Sequence, residues 1–343
     1  MAREAGRLRR GDVVRILGQD GIGIAVAAVE TASDHALVTL KGAAHLVLTQ
    51  ARARTLKIRL YTPEVVALAL KRPLKSDALR AIADPTADMS SPLKGPFDAL
   101  RETLPEAYGA AVKLAKLAGL LPAVVVTKVT GKGAIASQNI RDYEGETIRA
   151  LSIVTRARVP LEGAEETELV AFRAGDAGPE HLAIIIGHPS RAKPVLMRLH
   201  SECFTGDLLS SLRCDCGTQL RSAISIIAKK GGGVLLYMAQ EGRGIGLINK
   251  LRAYRLQDQG FDTLEANTRL GFQVDERLYG VAARMLELLG FSSVDLMTNN
   301  PDKVAALEAA GIKVARRVPH KFASNAHNRD YLQTKKSKAG HYL

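Results

Sequence analysis

Residues 198–217 read Arg-Leu-His-Ser-Glu-Cys-Phe-Thr-Gly-Asp-Leu-Leu-Ser-Ser-Leu-Arg-Cys-Asp-Cys-Gly. This stretch holds all three cysteines of the 343-residue chain, Cys203, Cys214 and Cys216. An odd number cannot pair completely within one chain, and a secreted disulfide scaffold needs many more. Two thiolates from a tight Cys-Asp-Cys turn and a third from the preceding segment form a donor set that zinc prefers. A site with three protein ligands keeps its fourth position open to water, whose pKa then falls to about 7. A closed structural site needs a fourth ligand, and His200 is the nearest in sequence. Spacing leaves open and closed sites both standing, beside the plainer alternative of three buried, inert cysteines.

The surrounding chain is 46% hydrophobic and 24% charged. That balance excludes a disordered or fibrous protein and supplies apolar material for cores. No apolar run reaches the roughly 18 uncharged residues of a membrane span. The N-terminus, Met1 to Arg7, has no apolar stretch behind it, so no secretory signal is expected and the cytoplasm is the expected compartment. The formal charge of +13 points to an anionic partner. Residues 1–165 carry 24 Lys and Arg against 17 Asp and Glu, so the excess is spread evenly and forms no charged block. Neither a nucleic acid nor a membrane is expected as partner.

Outward from the cysteines, the second half alternates helix and strand. Candidate helices end on glycine: Gln219 to Lys230, Gly246 to Gln259, Asp275 to Leu289 and Pro301 to Ala310. Candidate strands are Val234 to Tyr237, Val294 to Met297 and Ile312 to Ala315. This pattern predicts a layered α/β domain. In the first half, Asp12 to Ile16, Ala36 to Leu40 and Ala123 to Val126 read as strands, and 84–96 as loop. Residues 104–121 place Ala110, Leu114, Leu117 and Leu121 at helical spacing. The polar stretch 160–166 suggests a boundary, giving two α/β domains, 1–165 and 166–343.

Three further motifs carry chemistry. Glu241-Gly242-Arg243-Gly244-Ile245-Gly246 follows a strand and opens a helix, which suits an anion. It matches neither the dinucleotide fingerprint nor a P-loop, and an ordinary tight turn explains it about as well. Asp275-Glu276-Arg277 reads on its own as a helix N-cap. Thr298-Asn299-Asn300-Pro301 reads as a strand-to-helix turn, with Lys303 beyond it.

Together these pieces resemble GTP cyclohydrolase II. The likeness runs in order through 198–207, 211–217, Gln240 to Leu247, Asn249 to Tyr254, Asp262 to Asn267 and Thr298 to Lys303. It covers about 170–343, and the cysteine motif with its flanks is highly specific. The resemblance implies hydrolysis of GTP with release of formate and pyrophosphate, the first step of riboflavin biosynthesis. It implies that Cys203, Cys214 and Cys216 hold one open catalytic zinc, whose hydroxide opens the guanine imidazole ring. It assigns Arg198, Leu199, His200, Ser201, Glu202, Gln219, Glu241, Gly242, Arg243, Thr263, Thr298 and Lys303 to substrate binding, so His200 leaves the metal set. Asp275 resembles the family's proton acceptor, and Tyr254 a tyrosine near the reacting base. Arg277 resembles a proposed nucleophile at the α-phosphate; a guanidinium is a poor nucleophile, and a phosphate clamp suits it better. Magnesium is expected with the triphosphate, and a homodimer is expected. One departure is Ala239, where many members carry a basic residue.

The first half resembles dihydroxybutanone phosphate synthase, which many bacteria fuse ahead of this enzyme. Asp84 to Pro96, the Ala110 to Gly119 helix with Leu120 to Ala123, and Gly131-Lys132-Gly133 carry that likeness. The synthase's acidic stretch is replaced by Leu17 to Ile24, and its Gly-His-Thr-Glu-Ala by Glu106-Ala107-Tyr108-Gly109-Ala110. A degenerate, inactive synthase-like domain is therefore expected. Two alternatives remain: a relative acting in uracil catabolism, and a non-catalytic nucleotide- or RNA-binding protein.

Overall fold

The computed structural model describes residues 1–71, 73–130, 133–175 and 178–321. Gly131 and Lys132 of the synthase-like likeness lie outside them. The chain divides into two compact units: Met1–Tyr143 with Ile245–Glu276, and Glu144–Gly244 with the chain from Arg277 onward. This differs from a single boundary at 165/166. The stretch 160–166 is a hairpin turn, with the Ala164 N–H donating to the Leu161 carbonyl at 2.9 Å. Its breakers mark a turn between paired strands and not a linker.

The first unit is built on strands β1 Val14–Leu17, β2 Gly23–Ala28, β3 Ala44–Thr49, β4 Val65–Leu70, β5 Ala123–Val129 and β6 Ile135–Ala136. Their order is β4-β3-β5-β2-β1-β6, antiparallel except for the parallel β1–β6 pair. Successive side chains alternate between the two faces of a strand. Ile24, Val26 and Ala28 therefore join one core, and Ala25 and Ala27 another. The helix Ala107–Leu117 covers the first face, within the range expected for it. The second face is covered in part by residues from the distant segment: Ile245, Ala253, Leu256, Ala266, Leu270 and Phe272. Polar ties accompany them. Arg252 pairs with Glu30 at 2.9 Å, Asn249 donates to the Gly119 carbonyl at 3.2 Å, and Gln259 to that of Thr86 at 2.8 Å. At Gly271, with φ +89°, a Cβ would meet Pro122 Cγ and Thr49 Oγ1 at 2.9 Å.

Ala36 to Leu40, expected as a strand, falls largely in the helix Asp34–Thr39. Ser33 Oγ accepts the Ala36 N–H at 3.1 Å, and this N-cap outweighs the preference of a short β-branched run.

The second unit contains β7 Ser152–Arg158, β8 Thr167–Arg173, β9 His181–Gly187, β10 Val195–Ser201, β11 Gly232–Met238, β12 Ser293–Met297 and β13 Lys313–Val318. Their order is β13-β12-β10-β11-β9-β8-β7. The strands from β13 to β11 run parallel, and β9, β8 and β7 continue antiparallel. Helices Tyr279–Leu289 and Pro301–Ala309 share a core with one face, through Met197, Leu199, Leu236 and Leu296. The helix Cys216–Lys229 packs on the other face, through Ala223, Ile227 and Leu235. Gly231, Gly260, Gly290 and Gly311, expected at helix ends, have φ between +82° and +95°. Among the described residues no helix is long and apolar enough to cross a membrane.

β10 has β12 on one side and β11 on the other, so the carboxyl ends of three parallel strands open side by side. In open α/β sheets the crevice outside such ends is where ligands bind. The segments leaving them are Glu202-Cys203, Ala239-Gln240-Glu241 and Thr298-Asn299-Asn300.

Candidate functional site

Cys203 follows β10, Cys214 precedes the helix Cys216–Lys229, and Cys216 is its first residue. The three Sγ atoms lie within 4.8 Å of one another, with Cys203 and Cys214 at 3.7 Å. Two thiolates about 2.3 Å from a tetrahedral ion are separated by about 3.8 Å. A disulfide needs about 2.05 Å. The spacing and the soft donor set therefore fit zinc. Among the described residues no fourth side chain joins the group, which favours the open over the closed alternative. Contact with Cys203 is the main reason the thiols of Cys214 and Cys216 titrate above their ordinary value, that of Cys216 well above. A bound cation reverses that preference, because it favours thiolate.

Two glycines make the approach possible. A Cβ on Gly206 would lie 2.7 Å from Cys214 Sγ and 3.0 Å from Cys203 Sγ. A Cβ on Gly217 would lie 2.1 Å from the Gly206 carbonyl oxygen. The Gly206 N–H also donates to Cys203 Sγ at 3.3 Å.

His200 is held away from the sulfurs. Its Nε2 lies 3.1 Å from both carboxylate oxygens of Asp207, and its ring stacks on Tyr237 at 5.6 Å. Burial is the main cause of its lowered pKa, against the attraction of Asp207. Arg198 is buried on β10 and donates to the Met297 carbonyl at 2.9 Å and to Gln219 Oε1. Gln219 in turn donates to Asp215 at 2.5 Å. Burial pulls the pKa of Arg198 down to about 10, and its Nε has no hydrogen-bond partner among the described residues. Such a cation gains from an anionic ligand. Lys303 donates to the Leu199 carbonyl at 2.9 Å. Arg277 reaches Ser201 Oγ at 3.5 Å and lies over Tyr279. Thr298 Oγ1 accepts the Asn300 N–H at 3.0 Å.

The Glu241 turn is tied to the cysteine loop. Glu241 accepts the Phe204 N–H at 2.7 Å and the Gly242 N–H at 3.0 Å. Gly242 and Arg243 both take left-handed backbone, with φ +62°. For arginine this costs on the order of 1 kcal/mol or more, the kind of strain that clusters at ligand clamps.

The second unit thus carries the three cysteines with Arg198 through Glu202, Gln219, Glu241, Gly242, Arg243, Arg277, Thr298 and Lys303. Tyr254, Thr263 and Asp275 belong to the first unit. Tyr254 lies on the helix Leu247–Asp258 beside Lys250, and Thr263 opens the helix Thr263–Arg269. Asp275 is not a helix cap. The next helix starts at Tyr279 with Leu278 at the N-cap, so Asp275 sits in the irregular stretch before it. Sequence reasoning gave no role to Gly206, Asp207, Asp215, Tyr237 or His181. Asp207 was visible inside the cysteine motif; Tyr237 emerges only from its β-sheet register with His200.

The family model for GTP cyclohydrolase II matches residues 152–319. A GTP cyclohydrolase-2 of Azospirillum brasilense is 51% identical, over 99% of this chain and 92% of its own length. A GTP cyclohydrolase-2 of Azotobacter vinelandii is 60% identical over 48% of this chain and 80% of its own length. A riboflavin biosynthesis protein RibBA of Chlorobium phaeovibrioides is 44% identical over 68% of this chain and 62% of its own length. With such identity along nearly its whole length, the chain belongs to the GTP cyclohydrolase II family, an enzyme of riboflavin biosynthesis.

Proposed function

We propose that the chain hydrolyses GTP to a ribosylaminopyrimidine 5′-phosphate, formate and pyrophosphate, with one zinc held by Cys203, Cys214 and Cys216. The observation that supports this reading is the three-sulfur cluster, with no fourth ligand among the described residues, at the carboxyl ends of parallel strands. When bound there, zinc supplies a hydroxide at neutral pH. Arg198 to Glu202, Gln219, Glu241, Gly242, Arg243, Thr263, Thr298 and Lys303 bind the nucleotide. Arg198, Arg243 and Lys303 contribute cations for its phosphates, which magnesium accompanies. Arg277 clamps the α-phosphate, since a protonated guanidinium offers donors and no lone pair. Asp275 accepts a proton, and Tyr254 orients the base.

The reading includes a cytoplasmic homodimer. The exposed Phe204, Leu208, Leu209 and Leu212 of the cysteine loop supply apolar surface for one. It also includes a synthase-like first domain without activity. The carboxylates in the two replaced stretches, Asp20 and Glu106, are already engaged: Asp20 accepts the Ile22 and Glu106 N–H groups, and Glu106 is taken by Arg141, Ser137 and the Gln19 N–H.

The test incubates purified protein with GTP and magnesium and measures formate, the pyrimidine product and bound zinc. Formate release with about one zinc per chain is expected, and Cys214→Ser should lose both together. No turnover by the zinc-loaded protein overturns the function, and an active Cys214→Ser overturns the metal assignment.

A further inference from the structure

Three parts of the second unit converge on the carboxylate of Asp207. From β10, His200 Nε2 lies 3.1 Å from both oxygens. From β11, the Tyr237 hydroxyl donates to Oδ2 at 3.0 Å. From the cysteine loop, the Cys203 N–H donates to the same oxygen at 3.0 Å. The Asp207 N–H returns a bond to the Cys203 carbonyl at 2.7 Å. The two aromatic rings are stacked within 18° of parallel, and their residues are register partners in the parallel β10–β11 pair. The Asp207 side chain is 8% exposed, so water competes little for these bonds.

An ionised carboxylate only accepts hydrogen bonds. Facing His200, it requires the proton on Nε2, which leaves Nδ1 of a neutral ring as the sole acceptor. Facing Tyr237, it fixes the hydroxyl proton and with it the ring on which His200 stacks. The oxygen that does this also fixes the peptide carrying the first thiolate. Groups at one remove from a metal ligand commonly set its orientation in this way.

We propose that Asp207 is a positioning residue for the reaction: its carboxylate holds the His200 ring in one orientation and one tautomer while anchoring the Cys203 peptide. The substrate-binding end of β10 and the thiolate cluster thereby share one fixed reference point. This rests on the GTP hydrolysis reading, and the controls separate the two.

The experiment compares zinc-loaded full-length wild type with Asp207→Asn. The amide keeps the shape and can still accept the Cys203 N–H, but it cannot also accept from both His200 and Tyr237. Bound zinc should stay near one per chain, while kcat/KM for GTP falls about 10–100-fold, the range for such partners of metal sites. In a His200→Gln background, Asp207→Asn should cost little further, because its route through the ring is gone. Full additivity, or an Asp207→Asn variant within about 2-fold of wild type, overturns the proposal. A measurement independent of folding variants is the ¹⁵N-histidine spectrum of the wild-type protein. The Nε2–H form is expected for His200, and the Nδ1–H form overturns the proposal. If wild type itself releases no formate, the functional reading fails, and the tautomer measurement still decides the hydrogen-bond assignment.

Discussion

A glycine between sulfurs fixes how tightly the cysteine loop can close. Gly206 is surrounded by Cys203, Cys214 and Cys216, and the cluster leaves no room for a methyl group at the distances given above. Gly206→Ala should push the sulfurs apart and remove nothing else. Zinc affinity is expected to fall on the order of 10–100-fold, as for other groups that orient metal ligands, with formate release following the metal content. Metal analysis of the purified variant across a zinc titration checks this; wild-type affinity would refute it. Arg198 offers a contrast. Its long side chain is buried because Met297 and Gln219 take its donors, yet one nitrogen finds no partner among the described residues.

At the scale of elements, His181 opens β9, and its Nδ1 accepts the Ala239 N–H at 3.1 Å, just beyond the end of β11. Burial pushes its pKa down to about 4. The unfolded ring protonates near 6.5, so below that pH the unfolded chain binds a proton that the folded chain refuses. This contribution to stability is complete above about pH 6.5 and declines as the pH falls toward 4, by up to about 3 kcal/mol. His181→Asn keeps an acceptor for Ala239 and cannot titrate. Urea midpoints measured across that window should fall less steeply for the variant, and an unchanged slope would count against the assignment.

What could be read in the sequence follows the same division. Ligand chemistry is local, so three cysteines within 14 residues announce themselves. Helix ends are also local, and glycines at 231, 260, 290 and 311 mark them correctly. Ala36 to Leu40 misleads because a cap one turn earlier decides its conformation. The Asp207–Tyr237–His200 contact depends on β10 lying beside β11 in a definite register. Thirty residues separate Asp207 from Tyr237, and no periodicity encodes that pairing.

At the scale of the molecule, the segment Ile245–Glu276 completes the core of the first unit although it follows most of the second in sequence. Leu256, Leu270 and Phe272 are buried there, each worth about 1.5–3 kcal/mol. Deleting 1–143 would expose them together with Ile245, Ala253 and Ala266. The second unit keeps its own cores. The truncated protein is therefore expected to bind zinc but to be cut by protease within 245–276 and to lose formate release. A truncated protein that resists protease there and turns over GTP like the full chain would show that the first unit is dispensable.

The connectivity also orders events during synthesis. Residues 1–143 leave the ribosome first, and 133 residues, Glu144 to Glu276, must follow before the last of their partners appears. At roughly 5–20 residues per second this takes roughly 7–27 s. For that interval the part of the β-sheet core that Ile245, Ala253, Leu256, Ala266, Leu270 and Phe272 complete lacks its cover, longer than most small domains need to fold. The nascent chain is then a substrate for whatever binds exposed apolar sheet, and a pause anywhere in 144–244 lengthens the exposure. Slower translation through 144–244 is therefore expected to lower the yield of the folded first unit.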